Sequence, residues 1–280
     1  MLTGYNNGQF IETTNMSVPL DNLGINRGYG AFDFFGVINR KPFYFQRHLD
    51  RFMRTIGLLR LELPRKRNEI QSLIEETIQR NTASDYHIKL FALPLNSDTA
   101  GSLTSGLYIL PVQVTPYESE LYSKGARLIT KNYTRFLPEA KSTNYLPMVF
   151  WYKELIEQNA VDILYLTDHA VRETSRGNIF MVKNETVYTP GEGMLKGITR
   201  SIVIDILKEG PVQLIEEEIS FYDLLNAEEI FLSSSTKKIM PVVEIDGKKI
   251  GDGCVGALTR KIMTGFEQIR KNFGMGNETA

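Results

Sequence analysis

Apolar residues recur at helical spacing in several parts of the chain, and each recurrence predicts an amphipathic helix. In the segment 47–58, for example, Leu49, Phe52 and Ile56 fall on one face. The segments with this spacing are 47–58, 66–80, 197–207 and 255–273.

Short apolar runs bounded by turn residues predict strands. These runs are 86–93, 106–113, 126–130, 161–166, 178–182, 186–189 and 229–234. Residues 31–45 form two apolar segments around Asn39-Arg40-Lys41, which is typical of a hairpin. Helices and strands are mixed along the chain, so the expected fold class is α+β.

A polar, turn-prone stretch over 116–125 separates the chain into two halves. It shows no strong periodicity, which is typical of a connection between domains. We therefore expect an N-terminal α/β domain over 1–116, a linker over 117–121 and a C-terminal domain over 122–280.

A lysine at position 141 lies in the stretch PEAKSTNYL (138–146), between a proline-containing turn and a predicted helix. Ser142, Thr143 and Asn144 are all suitable N-cap residues, and a proline at 147 is tolerated in a first turn. The helix is expected to reach about residue 157, with an inner stripe made of Met148, Tyr152, Leu155 and Ile156. The ordinary interpretation of Lys141 is a solvated surface charge.

Composition and charge argue against several classes of protein. The formal net charge of −1 does not favour a protein that binds the phosphates of nucleic acids. One cysteine, Cys254, excludes an intramolecular disulfide and a cysteine-based metal site, and the three histidines are scattered. The N-terminus lacks an apolar signal segment and no apolar run is long enough to span a membrane, so we expect a cytoplasmic protein.

Three segments could hold an anion. In GITR (197–200) a glycine precedes a helix, so backbone N–H groups and the helix dipole point at one position. In SSST (233–236) hydroxyls and turn amides follow a strand, although a plain turn explains the same residues. In HLDRF (48–52) Arg51 could bind a phosphate or lie on the helix surface. Neither a Walker A motif nor a GxGxxG motif occurs, so a nucleotide-binding fold is not supported.

Two acidic segments are also candidates. VRETSRGNIF (171–180) places Glu173 in a predicted turn between strands, where a solvated side chain is the ordinary expectation. The run EEE (216–218) is most simply a polar edge. Taken singly, neither segment predicts a site.

Six motifs occur in one order along the chain, and together they carry a resemblance. They are RGYGAFDFF (27–35), HLDRF (48–52), KSTNYL (141–146), RETSRGNIF (172–180), MLKGITR (194–200) and SSSTKKIMPV (233–242). The series resembles the class IV, or fold-type IV, pyridoxal-phosphate enzymes, which include branched-chain aminotransferases, D-amino acid aminotransferases and 4-amino-4-deoxychorismate lyases. The resemblance implies a two-domain α+β fold with a small N-terminal and a larger C-terminal α/β domain, a site between them, and a homodimer.

The resemblance also implies a role for the lysine at 141. In the family, the lysine at this position forms a Schiff base with pyridoxal 5'-phosphate and later moves the proton of the substrate Cα. Lysine suits this role because its amine loses its charge readily when desolvated. Glu173 matches the acid that bonds the pyridine nitrogen of the cofactor.

Other cofactor contacts carry over by position. Arg51 matches the arginine that binds the phosphate. The remaining matches are the helix-start donors at Gly197, Ile198 and Thr199, the donors at Ser235 and Thr236, the apolar residue Leu195 on the ring face, and Tyr145 beside the phenolic oxygen. Tyr145 lies four residues after the lysine, which is a one-residue difference from branched-chain enzymes.

The substrate side is less specific. Phe32 and Lys89 are the candidate substrate-binding residues, with His87 nearby on the same strand. The residues at 87–94 match none of the three subfamilies fully. The SSST and GITR segments resemble those of the aminotransferases most, so we favour an aminotransferase for branched-chain or D-amino acids and 2-keto acids. The alternatives are a lyase that releases pyruvate and 4-aminobenzoate, and a non-catalytic relative of the same fold that serves as a binding protein.

Overall fold

The computed structural model of the protein describes residues 1–95 and 103–276. The chain divides into two compact units. Unit 1 consists of Met1–Thr115, Ala140–Tyr145 and Phe273–Ala280, and unit 2 consists of Pro116–Glu139 and Leu146–Asn272.

The secondary structure alternates between helices and strands in both units. The strands are β1 (Thr3–Asn6), β2 (Gln9–Glu12), β3 (Ala31–Ile38), β4 (Lys41–Pro42), β5 (Tyr86–Pro94), β6 (Ser105–Val112), β7 (Ala126–Asn132), β8 (Asp162–Thr167), β9 (Ala170–Thr174), β10 (Asn178–Lys183), β11 (Thr186–Thr189), β12 (Leu214–Glu216), β13 (Ile219–Ser220), β14 (Glu229–Ser234), β15 (Lys238–Ile245) and β16 (Lys248–Lys249). The helices are α1 (Leu23–Asn26), α2 (Phe45–Leu58), α3 (Arg67–Arg80), α4 (Ser119–Ser123), α5 (Leu146–Phe150), α6 (Tyr152–Glu157), α7 (Ile198–Lys208), α8 (Phe221–Leu225) and α9 (Ala257–Gly274).

Unit 1 is built on a six-stranded sheet in the order β2-β1-β6-β5-β3-β4. Buried and half-buried side chains alternate along β3, because successive residues of a strand point to opposite faces. The buried set of β3 faces α2, whose own apolar stripe includes the fully buried Leu49 and Phe52. The predicted helices over 47–58 and 66–80 and the predicted hairpin over 31–45 are confirmed.

Unit 2 is built on a ten-stranded sheet in the order β12-β11-β10-β14-β15-β7-β8-β9-β13, with β16 paired to β15. Its pairing is mixed, since β7 is parallel to both β8 and β15 while β14 is antiparallel to both β10 and β15. An apolar core includes Leu128, Val171, Ile179, Leu232 and Met240. The predicted helices over 197–207 and 255–273 are confirmed.

The single helix predicted after Lys141 is wrong in detail. Two short helices, α5 and α6, replace it, because the backbone at Trp151 (φ −87°, ψ 5°) interrupts the helix. Beyond the interruption the predicted stripe is lost. Leu155 is buried, but Tyr152 is 51% and Ile156 65% exposed.

The structure also differs from the sequence-based division into domains. Residues 140–145 and 273–280 belong to unit 1, although the sequence assigned both segments to the C-terminal domain. Ser142 pairs with Ala31, and Phe273 contacts Phe43, so distant segments of the chain complete unit 1. Residues 117–121, predicted as a linker, lie in unit 2 and overlap α4.

Among the helices that the structure describes, none combines the length and the apolar composition needed to cross a membrane.

Candidate active site

Lys141 lies in an extended segment that pairs with the start of β3. Its carbonyl oxygen accepts from the Phe32 amide at 2.9 Å, and the Thr143 amide donates to the Gly30 carbonyl at 2.9 Å. The Lys141 amide donates to the Thr55 hydroxyl of α2 at 3.2 Å. The backbone of the lysine is therefore held by both a strand and a helix, at a position that the sequence predicted as a loop before a helix.

The side chain of Lys141 is half-buried against aromatic rings. Its Nζ lies 4.5 Å from the centroid of the Phe32 ring, a distance at which a cation is attracted by a ring face. The Phe32 ring contacts Tyr145 edge-on at 5.5 Å and stacks on Phe91 at 6.1 Å. Lysine and tyrosine of the KSTNYL motif thus meet at one phenylalanine.

Lys89 lies on the same face of the sheet as Phe32. It pairs with Phe34 across β3 and β5, while Phe91 pairs with Phe32, and alternate residues share a face. His87 stacks on Phe34 at 5.0 Å. Both candidate substrate residues, Phe32 and Lys89, therefore border one half-buried aromatic surface.

Arg51 lies on the opposite, helix-covered face of β3, in a closed cluster with Asp33 and His48. Its Nε and Nη2 donate to the two Asp33 oxygens at 2.8 Å each, and His48 Nδ1 lies 2.6 Å from Asp33 Oδ1. Asp33 is fully buried and Arg51 is 6% exposed. The surface position considered for Arg51 is wrong, because the residue falls on the buried stripe of α2.

The charges of this cluster depend on one another. Burial raises the pKa of Asp33, but the cationic Arg51 and the neighbouring His48 outweigh burial and lower it well below the ordinary value. Burial lowers the pKa of His48, with Asp33 opposing the shift and both Arg51 and Lys141 adding to it. The electrostatics of the cluster thus extend to Lys141.

Glu173 is buried within β9, and the predicted solvated turn at this position is wrong. Its Oε1 accepts from Arg135 Nη1 at 2.8 Å, and its Oε2 accepts from the Leu195 amide at 3.1 Å. Arg135 precedes Glu173 by 38 positions, so no local pattern indicates the pair. The carboxylate is held in one orientation by a cation and by the MLKGITR motif.

Asn178 connects the glycine-led helix start with the serine-rich turn. It pairs with Ser233 in the β10–β14 ladder, and its side-chain amide donates to the Leu195 carbonyl at 2.7 Å. A Cβ on Gly197 would lie 2.2 Å from the Asn178 Oδ1, so a larger residue there would displace the Asn178 side chain and disturb its hydrogen bond to Leu195. The sequence did not single out Asn178, because the contact depends on the folded sheet.

The proposed anion donors of unit 2 are placed at a helix start and a hairpin turn. Gly197 is the N-cap of α7, and Ile198 and Thr199 are its first two residues, both buried. Ser235 and Thr236 lie in the turn between β14 and β15. The helix packs on β14, and the turn directly follows the same strand, so both groups of donors are placed by β14.

A cavity of about 340 Å³ opens beside Glu173 within unit 2. Arg135, Arg172, Tyr133, Tyr165 and Glu173 are on its wall, whereas Leu195, Ile198, Thr199 and Ser235 are not among its lining residues. Glu173 is therefore reached from two sides, by the cavity and by the loop that carries Leu195.

The predicted residues fall into one set per unit. Unit 1 carries Lys141, Tyr145, Phe32, Lys89 and Arg51, and unit 2 carries the others. Sequence reasoning missed Asp33, Thr55, Arg135 and Asn178 as supporting residues, since each acts through a partner distant in sequence.

The donor set fits the chemistry of pyridoxal phosphate. A phosphate needs N–H and O–H donors, which the start of α7 and the 235–236 turn present. The ring nitrogen needs a carboxylate, and Glu173 is a buried carboxylate, ion-paired with Arg135, that fits this need. The close approach at Gly197 keeps the helix start clear of a side chain. Across residues 1–95 and 103–276, no cluster of three or more His, Cys, Asp or Glu is placed to hold a metal ion.

Comparison with known proteins gives the same family. The model of the class IV aminotransferase family matches residues 30–245. A putative branched-chain-amino-acid aminotransferase of Methanocaldococcus jannaschii is 31% identical, with 97% of each chain covered. A D-alanine aminotransferase of Listeria monocytogenes is 25% identical, with 96% of each chain covered.

Solved structures agree on the fold. The branched-chain aminotransferase of the archaeon Thermoproteus uzoniensis, solved with norvaline, matches with a TM-score of 0.88 and 23% identity, over 99% of this chain and 96% of that one. The predicted α+β, fold-type IV architecture is therefore confirmed. On the family match and the full-length relatives, the chain belongs to the class IV aminotransferase family and is a pyridoxal-phosphate-dependent enzyme.

Proposed function

We propose that this enzyme moves the amino group of a branched-chain or other apolar amino acid to a 2-keto acid, with Lys141 as the catalytic lysine. The observation that carries the proposal is the placement of Lys141 Nζ over Phe32, in a segment whose backbone is fixed by β3 and α2. An amine that must be presented repeatedly in one position needs such a rigid support.

Lys141 has two tasks in this proposal. Its Nζ would hold the cofactor, and the same amine, when it is not engaged in holding the cofactor, would take the proton from the substrate Cα. The bound cofactor supplies an electron sink for the carbanion at Cα. The aromatic wall of Phe32 and Tyr145 limits the access of water to Nζ.

Glu173 and Arg51 are assigned to the two ends of the cofactor. The carboxylate of Glu173, oriented by Arg135, would accept a hydrogen bond from the protonated ring nitrogen and keep that nitrogen protonated. Arg51 is assigned to the phosphate, since a guanidinium has five N–H donors and the pair with Asp33 does not exhaust them. Asp33 orients the guanidinium in this assignment.

The remaining contacts are assigned to unit 2 and to Tyr145. The amides of Ile198 and Thr199, the Thr199 hydroxyl and the Ser235–Thr236 turn would bind the phosphate, while Leu195 would pack on the ring. Tyr145 is assigned to the phenolic oxygen, and its position at the Phe32 ring supports a place beside Lys141.

The aromatic surface around Lys89 supports an apolar substrate. Phe32, Phe34 and Phe91 offer contact area for an aliphatic side chain, and Lys89 offers a cation for the α-carboxylate. Similarity to the putative branched-chain-amino-acid aminotransferase of Methanocaldococcus jannaschii favours branched-chain amino acids as substrates of this chain. The Listeria monocytogenes relative keeps D-alanine as a second candidate.

The substrate is tested by half-transamination. We expect apolar L-amino acids to convert the visible absorbance of the purified enzyme into that of the pyridoxamine form, because one half-reaction needs no second substrate. Selective conversion by D-alanine would favour the second candidate. Failure with every amino acid, together with formation of 4-aminobenzoate from aminodeoxychorismate, would replace the aminotransferase proposal with the lyase.

The role of Lys141 is tested by Lys141→Ala. We expect turnover to fall by roughly 10²–10⁴-fold or more, with an unfolding transition close to that of the wild type, because the side chain is half-buried and general base catalysis is lost. Lys131→Met, which removes a lysine outside the proposed site, is the matched control. Full turnover by Lys141→Ala would assign the base to another residue.

We also propose a homodimer. Several large apolar side chains of unit 2 are mostly exposed, namely Phe136, Leu146, Val149, Phe150 and Ile156. Contiguous exposed apolar residues mark interaction surfaces in soluble proteins. Light scattering should give the mass of a dimer, and Phe150→Asp should shift it toward the monomer. A monomeric wild-type enzyme would contradict this assignment.

A further inference from the structure

A second pair of buried charges in unit 2 has no part in the assignments above. Lys237 Nζ lies 2.7 Å from Asp162 Oδ2, and both side chains are 0% exposed. The attraction within such a pair often fails to exceed the cost of removing both charges from water, so two apolar residues could be equally stable. The pair therefore calls for a role besides stability.

Asp162 holds the backbone that directly follows Glu173. The Thr174 hydroxyl donates to Asp162 Oδ2 at 3.2 Å, and the Ser175 hydroxyl donates to Asp162 Oδ1. The Ser175 amide donates to the Ile163 carbonyl at 2.8 Å. Since Glu173 is the neighbour of Thr174, Asp162 helps to set the direction in which the Glu173 carboxylate is presented.

Lys237 holds the turn that carries Ser235 and Thr236. Its amide donates to the Ser234 hydroxyl at 3.0 Å, and its carbonyl accepts from the Tyr122 hydroxyl at 3.2 Å. Its side chain runs inward from the turn to Asp162, while Ser235 and Thr236 stay half-buried. One buried side chain thus anchors the whole turn.

The carboxylate of Asp162 has the charge that this link needs. Burial raises its pKa, but the cations of Lys237 and Arg176 and the hydrogen bond from Ser175 outweigh burial and lower it. Asp162 and Lys237 are 75 positions apart, so the pair joins two segments of unit 2 that are distant in sequence and adds to the β10–β14 pairing between Asn178 and Ser233.

We propose that Asp162 and Lys237 are positioning residues, whose ion pair sets the end of β9, with Glu173, and the Ser235–Thr236 turn in the mutual arrangement that binds the ring nitrogen and the phosphate of one cofactor. This inference rests on the assignment of Glu173, Ser235 and Thr236 to the cofactor. The pair acts through these two segments and touches neither substrate nor cofactor.

The test compares binding of pyridoxal phosphate with binding of pyridoxal, which has no phosphate. The dissociation constants of both are measured by absorbance on the apoenzyme of the wild type, Asp162→Asn, Lys237→Met and the double variant. The dissociation constant of pyridoxal divided by that of pyridoxal phosphate reports the contribution of the phosphate alone, and a smaller ratio means a smaller contribution. The unfolding midpoint of each apoenzyme reports the structural effect separately.

Both single variants are expected to reduce this ratio by about tenfold, the effect of one misplaced charge-assisted hydrogen bond. Charge alone predicts opposite signs, because Asp162→Asn removes a negative charge and Lys237→Met a positive one. A loss in both variants therefore indicates positioning. Lys131→Met, whose ion pair with Glu154 is also 2.7 Å long but partly exposed, should keep the wild-type ratio.

Two results would overturn the inference. In the first, the folded variants keep the wild-type ratio and differ from the wild type only by a lower unfolding midpoint. In the second, the ratio rises in one single variant and falls in the other. Should a single variant fail to fold, the double variant decides, since it buries no unpaired charge and should still have a reduced ratio. A wild-type apoenzyme that binds pyridoxal as tightly as pyridoxal phosphate would instead overturn the underlying assignment of the phosphate donors.

Discussion

Each unit contains a buried carboxylate beside an arginine, and the two carboxylates differ in their surroundings. In unit 1, Asp33 is fully buried. Its oxygens accept hydrogen bonds from Arg51 and from the Phe34 amide, and they face His48. In unit 2, Glu173 accepts from Arg135 and from a loop amide, and it lines a cavity of about 340 Å³.

This difference distinguishes a carboxylate that holds the fold together from a carboxylate that can react with a ligand. A carboxylate enclosed by protein donors joins two elements, here β3 and α2, and orients Arg51. A carboxylate that lines a cavity together with the cation that orients it, as Glu173 does with Arg135, can receive a ligand. Burial of a charge alone therefore does not identify a reactive group. The variants below test this distinction, from the largest expected effect to the smallest.

Asp33→Asn should have the largest effect on stability. It leaves the Arg51 guanidinium buried without its anion, and breaking a buried pair costs about 3–5 kcal/mol. Urea denaturation of the apoenzyme measures the loss. A change below about 1 kcal/mol would contradict the supporting role assigned to the closed cluster.

Glu173→Gln should affect catalysis more than folding. We expect turnover to fall on the order of 10²-fold, since an amide cannot keep the ring nitrogen protonated, while the cofactor stays bound. The half-reaction rate and the cofactor content are measured on the same preparation. Near-normal rates would mean that the ring nitrogen has another partner.

Acidification should destabilise the enzyme through Asp33. Its pKa is lowered in the folded state, so its stabilising contribution is complete above the unfolded pKa of about 3.9 and declines as the pH falls below that value. Unfolding midpoints between about pH 6 and 3 should drop in the wild type and drop less in Asp33→Asn. Equal slopes in both proteins would contradict the proposed charge of Asp33.

Lys131→Met should have the smallest effect. Its ion pair with Glu154 is 2.7 Å long, but Lys131 is 24% and Glu154 40% exposed. Partly exposed pairs contribute about 0–1 kcal/mol after screening by solvent. A loss as large as that of Asp33→Asn in urea denaturation would mean that exposure does not separate the two kinds of pair.

Local features of both sites could be predicted from the sequence. The start of α7 follows from a glycine before an apolar helix, and the Ser235–Thr236 turn follows from hydroxyl residues after a strand. The helix that carries Arg51 follows from its apolar stripe. Each of these signals depends on neighbours within about one helical turn or one strand.

The sequence did not predict the features that depend on partners distant along the chain. The burial of Glu173 depends on Arg135 and on the Leu195 amide, and the extended backbone of Lys141 depends on pairing with β3. The helix after Lys141 was predicted as continuous because its residues suit a helix, whereas Trp151 packs on Tyr133 at 5.9 Å and the helix is interrupted there. Tertiary contacts decided these positions over local preference.

The most direct test of the account locates the covalent attachment of the cofactor. The holoenzyme is reduced with borohydride, digested, and mapped by mass spectrometry. The account predicts one pyridoxyl label, on the peptide that contains Lys141. A label on a different lysine, or an enzyme that takes up no label after incubation with pyridoxal phosphate, would contradict the central claim that Lys141 is the catalytic residue.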